Sequence, residues 1–170
     1  VFYAPPNAGK TLITLKLIID AIKSKQVEGG NFFYLNCDDN YSGGIEKLEL
    51  LEPFGVNVLI PGHNGFEVKD FGEIISKLIK HNMARNQVVV LDTLKKFIDL
   101  MDKGKSSAFN QLLRRFSSAG GTVIALAHVN KKRDDNNKLV RAGTSDVMDD
   151  FDAAYIIDTN DAPDGYRLAK

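Results

Sequence analysis

The sequence lacks the features that would indicate a disulfide-bonded, membrane-spanning or strongly charged protein. Its 170 residues include a single cysteine, Cys37, so no internal disulfide can form, and we expect a reducing, cytoplasmic location. No run of 18 apolar residues is present, which predicts that no helix crosses a membrane, and no signal-peptide pattern is found. The 22 Lys and Arg residues balance the 22 Asp and Glu residues, so any contact with nucleic acid or membrane must come from local patches.

The remaining composition is that of an ordinary globular domain. Hydrophobic residues make up 44% of the chain and charged residues 26%, and this length is enough for one sizeable core. We therefore expect a single domain over residues 1–170. Because the chain starts without Met on one apolar run and stops at Lys170 in another, we expect it to be the trimmed core of a longer protein.

Continuous apolar runs alternate with amphipathic runs along the chain. The apolar runs predict strands at residues 1–3, 32–35, 56–60, 88–91, 122–127 and 154–157, with a hairpin partner beginning within 165–168. Helical spacing of apolar residues predicts helices at residues 12–22, 42–51, 67–85 and 106–118. This alternation predicts an α/β fold, a mostly parallel central sheet with helices on both faces. Ligands of such sheets bind at the carboxyl ends of the strands.

The most specific motif lies between the first strand and the first helix. Residues 4–11 read Ala-Pro-Pro-Asn-Ala-Gly-Lys-Thr, and Ala4, Gly9, Lys10 and Thr11 satisfy the P-loop pattern (A/G)-x4-G-K-(S/T). Small residues let successive backbone amides curve around a phosphate, and the N-terminus of the following helix faces the same anion. The alternative interpretation is a tight glycine turn that carries a surface lysine.

The P-loop predicts ATP and Mg²⁺ as the ligands of this site. We expect Lys10 to reach the β- and γ-phosphates and the Thr11 hydroxyl to bind Mg²⁺. The residues expected to form the nucleotide cradle are Pro6, Asn7, Ala8, Gly9, Lys10, Thr11 and Leu12.

Acidic residues end two of the predicted strands. Asp92 follows four apolar residues, which fits the Walker B pattern, and we expect it to bind Mg²⁺ together with Thr11; a turn or helix-capping aspartate is the alternative. Asp38 and Asp39 end the second strand, where a carboxylate can orient the water that attacks the γ-phosphate. The sequence does not decide which of the two is the base, and solvated loop acids are the alternative.

His128 ends the strand that follows Asp92. A polar side chain at this place can sense the γ-phosphate, although a neutral histidine that only ends a strand is the alternative. The long separation of Lys10 from Asp92 leaves room for two strand–helix units between them. This separation disfavours a P-loop kinase.

Two predicted loops at the same edge are locally basic, and such clusters can contact a phosphate backbone. Solvated charged loops are the alternative. The cationic residues after Asp92 and after His128 that we single out are Lys95, Lys96, Lys131, Lys132, Arg133 and Arg141.

Four segments, in this order, resemble the RecA-like ATPases. They are residues 4–11, Tyr-Leu-Asn-Cys-Asp-Asp at 34–39, Val-Val-Val-Leu-Asp-Thr at 88–93 and Ile-Ala-Leu-Ala-His-Val-Asn-Lys at 124–131. Among these ATPases the chain is most similar to the ring-forming plasmid RepA-type and DnaB-type replicative helicases. Residues 140–145 and 149–153 are similar to the segment that precedes the last core strand in those helicases.

The resemblance implies a RecA-like motor core that hydrolyses Mg-ATP and moves on single-stranded DNA. Asp38 matches the position of the catalytic glutamate, which is one methylene longer, and His128 matches the γ-phosphate sensor. ATP in this family lies between subunits of a ring, and the neighbouring subunit supplies a cation, here Lys131, Arg141 or a residue beyond Lys170. The channel-lining loops of the family match the residues Lys95, Lys96, Lys132 and Arg133, which are therefore expected to contact DNA.

Other functions stay open on the sequence alone. A RecA-like or KaiC-like recombinase or regulatory ATPase would carry the same motifs. A non-hydrolysing nucleotide switch is a further alternative, because Asp38 stands where the family has glutamate.

Overall fold

Strands and helices alternate through the computed structural model, which describes residues 1–63, 65–97, 103–130, 134–135, 139–140, 151–161 and 167–169. The strands are β1 (Phe2–Ala4), β2 (Phe32–Asn36), β3 (Asn57–Leu59), β4 (Val88–Asp92), β5 (Thr122–His128), β6 (Tyr155–Ile156), β7 (Thr159–Asp161) and β8 (Arg167–Ala169). The α-helices are α1 (Lys10–Lys23), α2 (Tyr41–Leu51), α3 (Phe71–Lys80) and α4 (Lys103–Ser118).

Six of the strands form one parallel sheet. Their order is β3-β2-β4-β5-β1-β6, and every pairing within the sheet is parallel. The register aligns Asn36 with Asp92 and Ala4 with His128, so the carboxyl ends of β1, β2, β4 and β5 lie along one edge. The predicted α/β fold with a parallel sheet is confirmed.

Helices cover both faces of the sheet because side chains alternate along each strand. On one face, Tyr34 of β2 packs in a core with Leu15 of α1 and Leu51 of α2. On the other face, Leu35 packs with residues of α3 and α4, among them Ile75 and Phe116. Continuous apolar strands such as 88–91 are explained by this burial on both faces.

Helix α3 is shorter than its apolar spacing predicts. It ends at Lys80 rather than near residue 85, because Asn82 adopts a left-handed conformation with φ 57°. The backbone amides of Met83 and Asn82 donate to the carbonyls of Leu78 and Ile79, which is the Schellman arrangement that ends a helix.

The end of the described chain also differs from the prediction. Strand β6 pairs in parallel with β1, whereas β8 forms its antiparallel hairpin with β7, a strand that the sequence did not indicate. No helix among the described residues has the length and apolar character needed to cross a bilayer.

Candidate nucleotide-binding site

The loop between β1 and α1 has the shape of an anion cradle. Asn7 and Gly9 have positive φ values of 60° and 81°, which turn the chain sharply before the helix. Gly9 caps α1 and supplies no side-chain hydrogen bond, so the first amides of the helix have no side-chain acceptor. Free amides at a helix N-terminus, together with left-handed residues before it, are the groups that bind a phosphate.

Lys10 is buried beside this loop. Its residue is 8% exposed, and its ammonium forms no ion pair with any residue that the structure describes. Burial lowers the pKa of Lys10, although the carboxylates of Asp92 and Asp38 oppose the shift. These features do not fit a surface lysine on a glycine turn. A buried cation without a partner is suited to an anionic ligand.

The Thr11 hydroxyl and the Asp92 carboxylate, which are expected to bind Mg²⁺ together, lie within hydrogen-bond distance of each other. Thr11 Oγ1 donates to Asp92 Oδ2 over 3.2 Å, although the two residues are 81 positions apart. Asp92 is 2% exposed and its carboxylate accepts from side chains among the described residues, which does not fit a turn or capping residue. Hydroxyl and carboxylate oxygens are the ligands that Mg²⁺ prefers, so this pair fits the ion. The Thr11 proton is directed to Asp92, which leaves the lone pairs of the hydroxyl available.

Asp38 lies between His128 and Lys95. Its Oδ2 is 3.7 Å from His128 Nε2, and its Oδ1 is 3.5 Å from Lys95 Nζ. Within the described part of the chain, neither ring nitrogen of His128 has a hydrogen-bond partner, because the 3.7 Å to Asp38 is too long for a hydrogen bond. Burial lowers the pKa of His128, and the positive charges of Lys10 and Lys95 lower it further, so the ring is neutral near pH ~7. A neutral imidazole can donate one N–H to a phosphate oxygen.

Two further side chains, which the motifs did not include, also contact the site residues. Tyr34 donates a hydrogen bond of 2.5 Å to Asp92 Oδ2, and Lys47 of α2 contacts the same oxygen at 2.9 Å. Lys47 also forms an ion pair of 2.6 Å with Asp39. The helical spacing of α2 indicated that Lys47 faces the sheet, because it lies on the same stripe of the helix as the buried residues Gly44 and Leu51.

The structure brings together most of the predicted site and leaves some of it undescribed. Residues at the carboxyl edge of the sheet include Lys10, Thr11, Asp38, Asp92 and His128. Lys95 and Lys96 follow in the 3-10 turn Leu94–Lys96. In the cradle, Ala8 is buried and Pro6, Asn7 and Leu12 are exposed. The residues Lys131, Lys132, Arg133 and Arg141 lie outside the described part of the chain.

The thiol of Cys37 plays no part in this chemistry. Burial, with a smaller effect of Asp92, raises the pKa of Cys37 to about 12. The thiol is therefore protonated and a poor nucleophile.

Comparison with known families agrees with this geometry. Residues 1–134 match the family described as the AAA domain, which covers the P-loop and the strands that end at Asn36, Asp92 and His128. No match to a curated protein was found. The match spans more than half of the chain and includes every element that builds the site. The chain therefore belongs to the AAA domain family of P-loop ATPases.

Proposed function

We propose that this chain is the ATP-hydrolysing motor core of a ring-forming helicase that moves on single-stranded DNA. The observation that carries the proposal is the convergence of three features at one edge of the sheet. They are a buried lysine with no ion-pair partner among the described residues, a hydroxyl–carboxylate pair, and a second carboxylate beside a neutral histidine. In this proposal residues 1–170 act as one ATPase domain.

Each group at the edge has a place in ATP hydrolysis. Lys10 and the amides before it bind the β- and γ-phosphates, while Thr11 and Asp92 hold Mg²⁺. When bound, Mg²⁺ supplies positive charge to the phosphate oxygens. Asp38 orients the attacking water and accepts its proton, and His128 donates to the terminal phosphate.

The helicase part of the proposal is supported by the resemblance of four segments and by the position of two lysines. Lys95 and Lys96 lie in the turn directly after Asp92, so a DNA strand that contacts them would lie next to the nucleotide. Lys132 and Arg133 are proposed as further DNA contacts. For the cation that a neighbouring subunit supplies in a ring, Lys131 and Arg141 are the proposed candidates.

ATP turnover measured with and without single-stranded DNA tests this function. We expect DNA to stimulate turnover, and we expect Lys10→Ala to abolish nucleotide binding because the phosphates lose their buried cation. Lys16→Ala is the matched control, since Lys16 is an exposed residue of α1 that pairs with Asp20. The ATPase function is rejected if Lys10→Ala binds and hydrolyses ATP as well as the control. A lack of DNA stimulation in an active enzyme rejects the motor role alone.

Two other functions are separated by the same assays. A recombinase or regulatory ATPase would hydrolyse ATP without unwinding a forked duplex. A non-hydrolysing switch is favoured by one observation, that the residue at the base position is the shorter Asp38. Turnover that is lost in Asp38→Asn while ATP binding is retained eliminates the switch.

A further inference from the structure

Lys47 contacts Asn36, Asp39 and Asp92 together, although no motif includes it. We propose that Lys47 is a positioning residue for hydrolysis, whose ammonium fixes Asp92 for the metal and holds Asp39 away from the reaction, so that Asp38 acts as the base. This inference rests on the proposed ATPase function.

The ammonium of Lys47 joins three elements of the fold. It donates to Asn36 Oδ1 at 2.8 Å and to Asp92 Oδ2 at 2.9 Å, and its contact with Asp39 Oδ2 is 2.6 Å. A lysine ammonium has three N–H donors, so these contacts use all of them. The side chain is 12% exposed, and the ammonium also lies 5.5 Å from the centre of the Tyr34 ring. Lys47 therefore has one arrangement in this site, set by four groups around it.

The first consequence concerns the orientation of Asp92. The hydroxyls of Thr11 and Tyr34 and the ammonium of Lys47 all donate to the same oxygen, Oδ2. No residue in the described part of the chain donates to Oδ1 of Asp92. A carboxylate held by one oxygen from three directions cannot rotate freely. Its second oxygen is then presented to a metal ion or to the water bound to that ion, as partners of metal ligands commonly arrange.

The second consequence separates Asp38 from Asp39, which the sequence could not do. Asp39 is paired with Lys47 and packs against Gly43, where an added Cβ would lie 3.1 Å from the Asp39 carboxyl carbon. Asp38 instead faces His128 and Lys95, and its charge acts on Lys10. The carboxylate that meets the phosphate-binding groups is therefore that of Asp38.

Substitutions of Lys47 test the effect on the metal. Lys47→Met removes the charge at similar length, and Lys47→Arg keeps it. We expect Lys47→Met to bind a fluorescent ADP analogue in EDTA within about twofold of wild type, because Lys10 and the P-loop are intact. Its Mg²⁺ affinity, measured by calorimetry on the ADP complex, should fall by about 10- to 100-fold, as is typical when a partner of a metal ligand is lost. Lys47→Arg should restore part of this loss, and Lys16→Met should change neither quantity.

Substitutions of the two aspartates test the choice of base. Asp38→Asn should lower kcat by about 100-fold or more with little change in ATP binding. Asp39→Asn should keep at least about tenfold more activity than Asp38→Asn, because it loses only an ion-pair partner. Its Mg²⁺ affinity should shift in the same direction as that of Lys47→Met. Combining the two changes should add little, because both act through one contact.

The outcomes distinguish this inference from the proposed function. Unchanged Mg²⁺ affinity and kcat in Lys47→Met, or Asp39→Asn more damaged than Asp38→Asn, overturns the positioning role in an enzyme that still hydrolyses ATP. If Lys47→Met does not fold, the comparison of Asp38→Asn with Asp39→Asn tests the inference by itself. Both aspartates are partly exposed, so we expect these two variants to fold. A wild-type chain that does not bind nucleotide rejects the proposed function instead.

Discussion

The hydroxyl of Tyr34 donates a hydrogen bond of 2.5 Å to Oδ2 of Asp92, and both residues are almost completely buried. Burial, and secondarily the negative charge of Asp92, raise the pKa of Tyr34 far above its ordinary value. The phenol therefore remains protonated and remains a donor at neutral pH. This bond connects β2 to β4 at the level of the proposed metal site, so we expect it to contribute to both stability and function.

Replacing Tyr34 by phenylalanine removes this bond while keeping the ring. We expect Tyr34→Phe to lower the free energy of unfolding by about 1.5–3 kcal/mol, the usual contribution of a hydrogen bond to a charged group. Urea denaturation measures this difference. Tyr155→Phe is the matched control, because Tyr155 is 57% exposed, and we expect a change below about 0.5 kcal/mol there. Equal changes in the two variants would contradict a special role for the buried bond.

Lys10 is expected to reduce the stability of the ligand-free protein. Its ammonium is buried, it has no ion-pair partner among the described residues, and burial lowers its pKa. We therefore expect Lys10→Met to raise the free energy of unfolding by about 1 kcal/mol, because a buried charge that Asp92 and Asp38 offset only in part is replaced by an apolar side chain of similar length. Thermal or urea denaturation without nucleotide measures the gain.

The same substitution should remove the stabilisation that ATP provides. A ligand that binds only the folded state stabilises it in proportion to its affinity, so adding Mg-ATP should raise the melting temperature of wild type but not of Lys10→Met. Lys16→Met, on the exposed face of α1, should respond to ATP as wild type does. A Lys10→Met variant that is less stable than wild type without nucleotide would show that this lysine is paired in solution.

The elements of the fold could be predicted from the sequence because most strands are continuous apolar runs. A strand that is buried on both faces of a parallel sheet needs such a run. The P-loop motif in addition predicts that a strand precedes it and a helix follows it. The end of α3 was missed because the left-handed Asn82 ends it inside a run that still has helical spacing. Strand β7 was missed because residues 159–161, Thr-Asn-Asp, have no apolar pattern.

The sequence predicted the site residues that lie in the P-loop or follow a strand, but not the side chains that reach the site from elsewhere in the fold. Asp38, Asp92 and His128 follow apolar runs, so the sheet itself brings them to one edge. Lys47 reaches Asp92 because α2 packs on the face of the sheet that carries Tyr34. Tyr34 reaches Asp92 because the sheet register aligns it with Val90, two residues before Asp92 on the same face of β4. Sequence spacing gives the existence of α2 but not its rotation against the sheet. For that reason the place of Lys47 on the buried stripe of α2 did not by itself identify Asp92 as its partner.

His128 should make stability depend on pH below neutrality. The pKa of the folded protein's His128 is lowered below its ordinary value of 6.5, first by burial and then by Lys10 and Lys95. As pH falls, the unfolded chain therefore takes up this proton before the folded protein does. The contribution of His128 is fully present above 6.5 and is lost progressively as pH falls towards the folded-state pKa.

The variant His128→Gln isolates this contribution, because glutamine does not titrate. Urea denaturation of both proteins between pH ~8 and ~5 gives the difference in their free energies of unfolding. We expect that difference to be constant above pH ~7 and to shift below it, with wild type losing stability faster than His128→Gln. Parallel curves over the whole range would show that the folded and unfolded states bind this proton equally.

Lys95 should couple DNA binding to hydrolysis, and Lys96 should not. Lys95 is half exposed and its ammonium lies 3.5 Å from Asp38, so a DNA phosphate can compete with Asp38 for it. The ammonium of Lys95 also competes with the attacking water for the oxygen of Asp38 that it contacts. We therefore expect Lys95→Ala to raise the turnover measured without DNA and to show little further stimulation when single-stranded DNA saturates it.

Lys96→Ala is the matched control for this coupling, because Lys96 lies in the same turn and forms no ion pair with a residue in the described part of the chain. Each variant should weaken DNA binding for all sequences alike and reduce the salt dependence of binding by about one phosphate contact. Only Lys95→Ala should lose the stimulation at saturating DNA, since only Lys95 reaches the base. If both variants lost stimulation to the same degree, the turn would bind DNA, but the release of Asp38 by Lys95 would not be the cause of stimulation. Full stimulation in Lys95→Ala would show that DNA stimulates hydrolysis without the contact between Lys95 and Asp38.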